Sequence, residues 1–342
     1  MEMNELRRAI VRSAVHKGIE EVREDPKRGV RKLVDMGSHF SKGRFQKQTF
    51  AIMQNELTDV NSAYYAMVMR ISRYVRPDAL EEFGLNVGYN SWTHGAQIIR
   101  AHEAEHGYNV PWCLVLDLRQ SAGYDVDELM CQGKKLGIYA YMVFGGSRTQ
   151  LDELYPLFYK HKDCAVLVML RTPELPLVNI ENVNNVALLV PQNEPGARES
   201  AQELQKRGCL YGTWVYYSDG TATAVTNGSA EALAEELGAF SLIAVSEPGT
   251  GTETCERVAQ YAVKEREHKR YLPFLAEFFS DIERIDRIIS VEPCMLGVSA
   301  DGTVFTAQGT NPNLNVQNIA LEDVLMCTMP RVTYKTDQDA KE

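Results

Sequence analysis

From residue 111 to residue 246 the sequence alternates short apolar runs, rich in β-branched and aromatic residues, with segments of helical period, and this alternation constrains the fold more than any other feature. Strands are expected at 111–118, 138–144, 164–170, 186–191, 210–217 and 241–246, with helices at 125–136, 149–161, 196–207 and 229–239. Only the link 172–185, after the third strand, has no helical pattern. Strands separated by helices call for a parallel sheet with right-handed crossovers, because a parallel neighbour cannot be reached through a tight turn. Periodicity alone leaves two architectures open, a partial barrel and a doubly wound open sheet.

The flanks have a different texture. Segments 4–23, 26–36, 45–56, 60–74, 77–83 and 96–105 carry helix formers with apolar residues three and four apart, an all-helical prelude. After the sixth strand, 252–269 and 271–287 read as helices. Residues 288–291 followed by 295–306 read as a β-hairpin turning at Asp301-Gly302. The tail 334–342 is polar and is expected to fray.

Composition excludes several function classes. No stretch approaches the apolar length of a membrane span, and acids and arginines interrupt the first ten residues where a signal peptide needs an apolar run; the expectation is a cytoplasmic protein. The net charge of −10 is uneven: residues 1–54 hold twelve Lys and Arg against seven Asp and Glu. The basic run 23–32 has no interleaved aromatics and no nucleic-acid motif, so it reads as a solvated helical face rather than a nucleic-acid surface. The seven cysteines, at 113, 131, 164, 209, 255, 294 and 327, are scattered without zinc-finger or redox spacing and read as reduced thiols.

Several segments together resemble radical SAM proteins that begin with a helical region. They are Gly107-Tyr108-Asn109-Val110-Pro111-Trp112 before the first strand, Asp127-Glu128-Leu129 and Gln132-Gly133-Lys134-Lys135-Leu136-Gly137-Ile138-Tyr139 in the first helix and second strand, and Lys160-His161-Lys162-Asp163-Cys164 before the third. Lys206-Arg207-Gly208-Cys209-Leu210-Tyr211-Gly212 resembles the approach to the fifth strand, and Glu292-Pro293-Cys294 through Ser299-Ala300-Asp301-Gly302-Thr303-Val304 the C-terminal hairpin; the likeness runs over about 86–325. It implies a partial (β/α)6 TIM-like barrel, with an N-terminal α-helical region and a C-terminal helical and β-hairpin extension. The expected division is a helical region at 1–106, a radical SAM-like barrel at 107–250, helices and hairpin at 251–333, and a flexible tail at 334–342.

The departures from that family bear on function. Its relatives place three cysteines between the first strand and first helix to hold a 4Fe-4S cluster, and a Gly-Gly-Glu after the second strand to meet the methionine ammonium. Here the loop reads Arg119-Gln120-Ser121-Ala122-Gly123-Tyr124, the second motif reads Gly145-Gly146-Ser147, and Cys294 is the sole thiol beside the C-terminal hairpin. The resemblance then implies a catalytically degenerate protein, a pseudoenzyme without an iron-sulfur cluster, serving as a binding, regulatory or scaffold subunit. The expected partner is an intact radical SAM enzyme or another protein, with no nucleic acid and no membrane. No cofactor is expected, beyond residual weak binding of S-adenosylmethionine or a nucleoside.

Barrels of this kind place their clefts at the carboxyl ends of the strands. The candidate ligand-binding residues there are Asp117, Gly145, Gly146, Ser147, Gln192, Asn193, Glu194, Asp219 and Glu247, with Arg119 and Arg171 among their neighbours. Two enzymatic alternatives stand beside the scaffold. One is non-radical chemistry on a small molecule with Glu194, Asp219 or Glu247 as acid or base. The other is a zinc peptidase using the His-Glu-x-x-His pattern of His102, Glu103 and His106, although Glu105 puts a charge where zincins have none and Gly107 ends the helix at the second ligand. The loop Pro248-Gly249-Thr250-Gly251-Thr252 could hold an anion on its amides, but it lacks the lysine and the spacing of a P-loop and reads rather as a loop followed by a threonine cap.

Overall fold

A computed structural model describes residues 3–40, 44–59, 62–268, 270–290 and 292–332. The prelude is helical throughout: α1 (Met3–Glu24), α2 (Pro26–Phe40), α3 (Arg44–Glu56), α4 (Ala63–Tyr74), α5 (Pro77–Leu85), a π-helical stretch at Asn86–Gly95, and α6 (Ala96–His106). The alternating region follows as β1 (Cys113–Leu118), α7 (Val126–Lys135), β2 (Ala140–Gly145), α8 (Arg148–Lys160), β3 (Ala165–Met169), β4 (Val186–Pro191), α9 (Ala197–Lys206), β5 (Tyr211–Tyr217), α10 (Thr223–Thr226), α11 (Ser229–Glu236) and β6 (Ser241–Ser246). The chain then forms α12 (Thr252–His268), β7 (Phe274–Glu277), α13 (Phe278–Ile289), β8 (Leu296–Val298), β9 (Thr303–Thr306), β10 (Gly309–Asn315) and α14 (Leu321–Thr328). The tail expected to fray, 334–342, lies outside the described residues.

Sheet order decides the architecture. The strands lie in the order β10-β9-β8-β1-β2-β3-β4-β5-β6-β7, and β1 to β7 are parallel and follow one another without reversal. A doubly wound sheet reverses its strand order at a switch point; this sheet advances in one direction, as a barrel wall does. β7 and β10 are its two edges, so the barrel is open. The protein is mixed α/β, a mostly parallel partial barrel preceded by helices, as the fold class expected.

Alternation along the strands separates two faces. Tyr141 points to the helix-covered side, where its hydroxyl donates to the carbonyl of Met130 in α7. Its neighbours Met142 and Phe144 point to the concave side, in register with Val115 and Asp117 of β1. The core is one large apolar cluster along the sheet, while Val22, Val30, Leu57 and Tyr65 form a smaller one within the prelude.

The prelude packs against the amino ends of the strands. Asn86 donates to the carbonyls of Lys162 and Cys164 just before β3, and Asn90 to that of Asp163. Gly95 and Gly137 cross so closely that a Cβ on Gly95 would stand 2.3 Å from the Gly137 carbonyl oxygen. Gly137 also holds φ of +92°, which a side chain rarely adopts.

At the flanks two expectations need correction, and two elements carried no sequence signal. Segment 271–287 is not one helix, because β7 occupies its first part and Glu277 caps α13 by accepting from the Ser280 amide. Ile288 and Ile289 end α13 instead of starting a strand, and Val291 lies outside the described residues. β10, with its asparagines and Pro312, has the composition of a loop and survives as a strand because it lies at an edge. The π-helical stretch at Asn86–Gly95, rich in Asn, Gly and Ser, gave no helical signal either.

Candidate functional site

The carboxyl ends of β1 to β3 open into a cleft of about 700 Å³, lined by Asp117, Arg119, Arg171, Ser299, Asp301 and Thr303 among others. Asp117, the last concave-facing residue of β1, receives the Arg119 guanidinium: Nε donates to Oδ1 at 2.8 Å and Nη2 to Oδ2, a two-toothed ion pair. Hydrogen bonding to Asp117 raises the already high pKa of Arg119. The guanidinium also lies 5.7 Å from the ring centroid of Phe144. Phe144 in turn packs edge-on to Trp214, at 6.3 Å, and beside Phe278, at 5.4 Å. The cleft lining is therefore mostly polar, with a buried aromatic cluster behind Arg119.

The two remaining charges at the rim differ. Asp301 is committed to its own turn, accepting from the Thr303 amide at 3.0 Å, which lowers its pKa. Arg171 is exposed just beyond β3 and makes no hydrogen bond or ion pair among the described residues. An anionic group entering this cleft meets one cation that needs no prior partner to be broken.

The other sequence candidates are structural or lie outside the cleft. Gly145 and Gly146 are small because the chain is crowded there. A Cβ on Gly146 would stand 2.8 Å from the Leu118 carbonyl oxygen and 1.9 Å from Gln150 Oε1. Ser147 caps α8 in a capping box: its amide donates to Gln150 Oε1 at 2.7 Å and its hydroxyl accepts from the Gln150 amide. Gln192 is buried between Thr213 and the Ala230 carbonyl on the helix-covered side. Asn193 and Glu194 are exposed beyond β4. Asp219 accepts from the Gly251 amide, and hydrogen bonds from Thr254 and Gly251 lower its pKa, so the glycine loop after β6 already has its anion. Glu247 is exposed; Tyr216, whose hydroxyl pKa is raised chiefly by burial, also feels its charge. Ser299, Asp301 and Thr303 were not among the sequence candidates, since only the sheet order brings the C-terminal hairpin beside β1.

The loop between β1 and α7 is docked on that hairpin. The Gly123 amide donates to the Ala300 carbonyl at 2.7 Å, and Gln317 donates to the Gly123 carbonyl at 2.8 Å. At its end the Tyr124 hydroxyl is buried without a hydrogen-bond partner among the described residues, and burial with the charge of Asp117 raises its pKa. The loop brings no thiol to a cluster. Cys113 and Cys294 are buried, and desolvation holds both thiols neutral rather than as ligating thiolates. This donor set does not fit three-thiolate ligation at the loop.

The His-Glu-x-x-His pattern is also rearranged. Glu103 is buried, accepts from the Val110 amide at 3.0 Å, and burial pushes its pKa up to about 7. It faces the interior, not the surface where the two histidines meet, so a zincin-type peptidase has no base here.

No protein-family model matches this chain, and no curated protein matches it. Among solved structures it is similar to Streptococcus suis SuiB bound to the precursor peptide SuiA, at 10% identity over 66% of this chain and 67% of that chain, with a TM-score of 0.48. SuiB bound to S-adenosylmethionine matches at 12% identity over 66% of each chain, TM-score 0.48. A further SuiB structure matches at 10% identity over 84% of this chain and 77% of that one, TM-score 0.47. The expectation that no cofactor is bound is corrected by these structures, since one of them holds S-adenosylmethionine. No helix among the described residues is long and apolar enough to cross a membrane.

Proposed function

We propose that the chain is a radical SAM-like protein that binds instead of performing radical chemistry, a catalytically degenerate form of the fold acting as a recognition, regulatory or scaffold subunit. An intact radical SAM enzyme is the partner this reading favours. One observation carries it: the β1–α7 loop has no thiol and is tied to the C-terminal hairpin region by the Gly123 amide on the Ala300 carbonyl and the Gln317 side chain on the Gly123 carbonyl. In this reading the barrel, 107–250, with the wall added by 251–333, faces the ligand, and the helical region 1–106 faces the partner.

The ligand is assigned to a carboxylate-bearing class, because Arg171 is the uncommitted cation of the cleft while Arg119 is held by Asp117. S-adenosylmethionine and a peptide are the first probes, being what the SuiB structures hold. Non-radical catalysis has less support: Glu194 and Glu247 lie exposed outside the cleft lining and Asp219 is engaged with Gly251.

Anaerobic reconstitution with iron and sulfide, read by electron paramagnetic resonance and product analysis, tests the reading. The expected result is no stoichiometric four-iron signal and no 5′-deoxyadenosine; finding both overturns it. Calorimetric titration with S-adenosylmethionine and with an acidic peptide tests the cleft. Arg171→Ala should weaken binding roughly tenfold or more, the worth of one charge-assisted hydrogen bond.

A further inference from the structure

Away from the cleft, α6 and α14 bring three metal-ligating groups to one point on the surface. His102 and His106 lie one turn apart on α6, their rings stacked at 4.1 Å between centroids. Glu322, in the first turn of α14, places Oε1 3.8 Å from His102 Nε2 and 3.9 Å from His106 Nε2. The three ligand atoms lie within 4.8 Å of one another. Donors around a zinc ion at its usual bond lengths stand roughly 3.3 Å apart, so closure needs the two stacked rings to turn their Nε2 atoms toward a common point and the exposed Glu322 to draw in.

The convergence is built by the backbone. Past α14 the chain returns alongside the end of α6: the Asn109 amide donates to the Pro330 carbonyl at 2.9 Å, and the Val332 amide to that of Gly107 at 3.1 Å. At the other end of α14, the Leu321 amide donates to Gln132 Oε1 of α7 at 2.8 Å. Both ends of the helix are fixed, and with them the approach of Glu322 to the histidines.

The imidazole tautomers suit a cation as well. His106 Nδ1 faces the His102 carbonyl at 3.1 Å. A carbonyl can only accept, so Nδ1 carries the proton and donates. In the neutral ring the Nε2 lone pair is then directed toward Glu322, the arrangement in which a metal-ligating histidine is held by its other nitrogen. His102 Nε2 meets the Tyr108 hydroxyl at 2.7 Å and can accept from it, which again makes Nε2 the basic nitrogen; a metal ion would take the lone pair that the Tyr108 hydroxyl engages. The open lone pair of His106, the exchangeable one of His102 and the Glu322 carboxylate together form an electron-rich pocket that a cation would satisfy.

We propose that His102, His106 and Glu322 form a surface site for a divalent transition metal of the zinc class, which pins α14 to α6. The donor set of two nitrogens and one oxygen leaves a coordination position for water. Glu103 faces inward to Val110, so that water has no adjacent glutamate base and the ion serves as a clamp rather than a hydrolytic centre. This is separate from the barrel mouth and does not rest on the function proposed for it.

Equilibrium dialysis of the full chain against zinc, with elemental analysis, should give one equivalent bound. His106→Ala and Glu322→Gln, both changes of exposed side chains, should each lower affinity tenfold or more with an unchanged near-ultraviolet circular dichroism spectrum. The wild-type melting temperature should rise with zinc concentration, and those of the variants should not. Cobalt substitution should give a spectrum without thiolate-to-metal charge transfer. Such a band, lost in Cys131→Ala, would move the ion to the Asp127, Cys131 and His161 cluster and overturn the assignment. Protonation of His106 in an NMR titration with no metal retained would overturn it too.

Discussion

Asp286 holds a carboxylate out of reach of water, with the amides of Cys294 and Trp112 directed at it. Burial nevertheless pushes its pKa up to about 7, well above the ordinary aspartate range. The folded state therefore binds a proton more tightly than the unfolded state does. Between about pH 4 and 7 stability contributed by this group falls as pH rises, by about 1.4 kcal/mol per pH unit at most, and changes no further above the folded pKa. Asp286→Asn should flatten that slope, read as urea midpoints from pH 4.5 to 7.5; parallel profiles for the two proteins would refute the account. Tyr124 makes a complementary case. Its buried hydroxyl has no partner, so Tyr124→Phe should leave stability unchanged or raise it by up to about 1 kcal/mol in the same measurement. Gly146→Ala should instead destabilise by about 1–3 kcal/mol, because the new methyl group meets the fixed Leu118 carbonyl.

At the scale of elements, β1 to β6 were legible because each buried strand is a run of apolar residues flanked by helical periods, and β4 and β6 begin and end where the pattern does. β7 is four residues long, too short for a period to declare itself, and the helix-forming residues around it hide its boundaries. The mouth was legible in part. Asp117 and Arg171 follow from the rule that barrel clefts lie at strand ends, whereas the hairpin wall depends on β8 pairing with β1, a contact between residues far apart in sequence. Ser147, a ligand-binding candidate in the sequence, is seen in the structure to cap α8, a role its partner Gln150 shows only once the helix is in place. Asn86 has a comparable role between elements, joining the prelude to the start of β3. Asn86→Ala leaves two carbonyls and the Asn90 amide short of a partner, and should cost about 2 kcal/mol or more in chemical unfolding.

Over the whole molecule, the small apolar cluster of the prelude is distinct from the large one along the sheet. Amide hydrogen exchange should accordingly be faster in α1 to α3 than in β1 to β6, since a region with few buried apolar contacts opens at lower cost. Uniform protection across both would show that they unfold as one unit. The prelude covers the amino ends of the strands and the cleft opens at their carboxyl ends, so the molecule has two poles separated by the length of a barrel. A macromolecule seated on the helical pole and a small molecule seated in the mouth would not compete for surface. Their affinities would be independent, so the adaptor role proposed above predicts loading at both ends in either order.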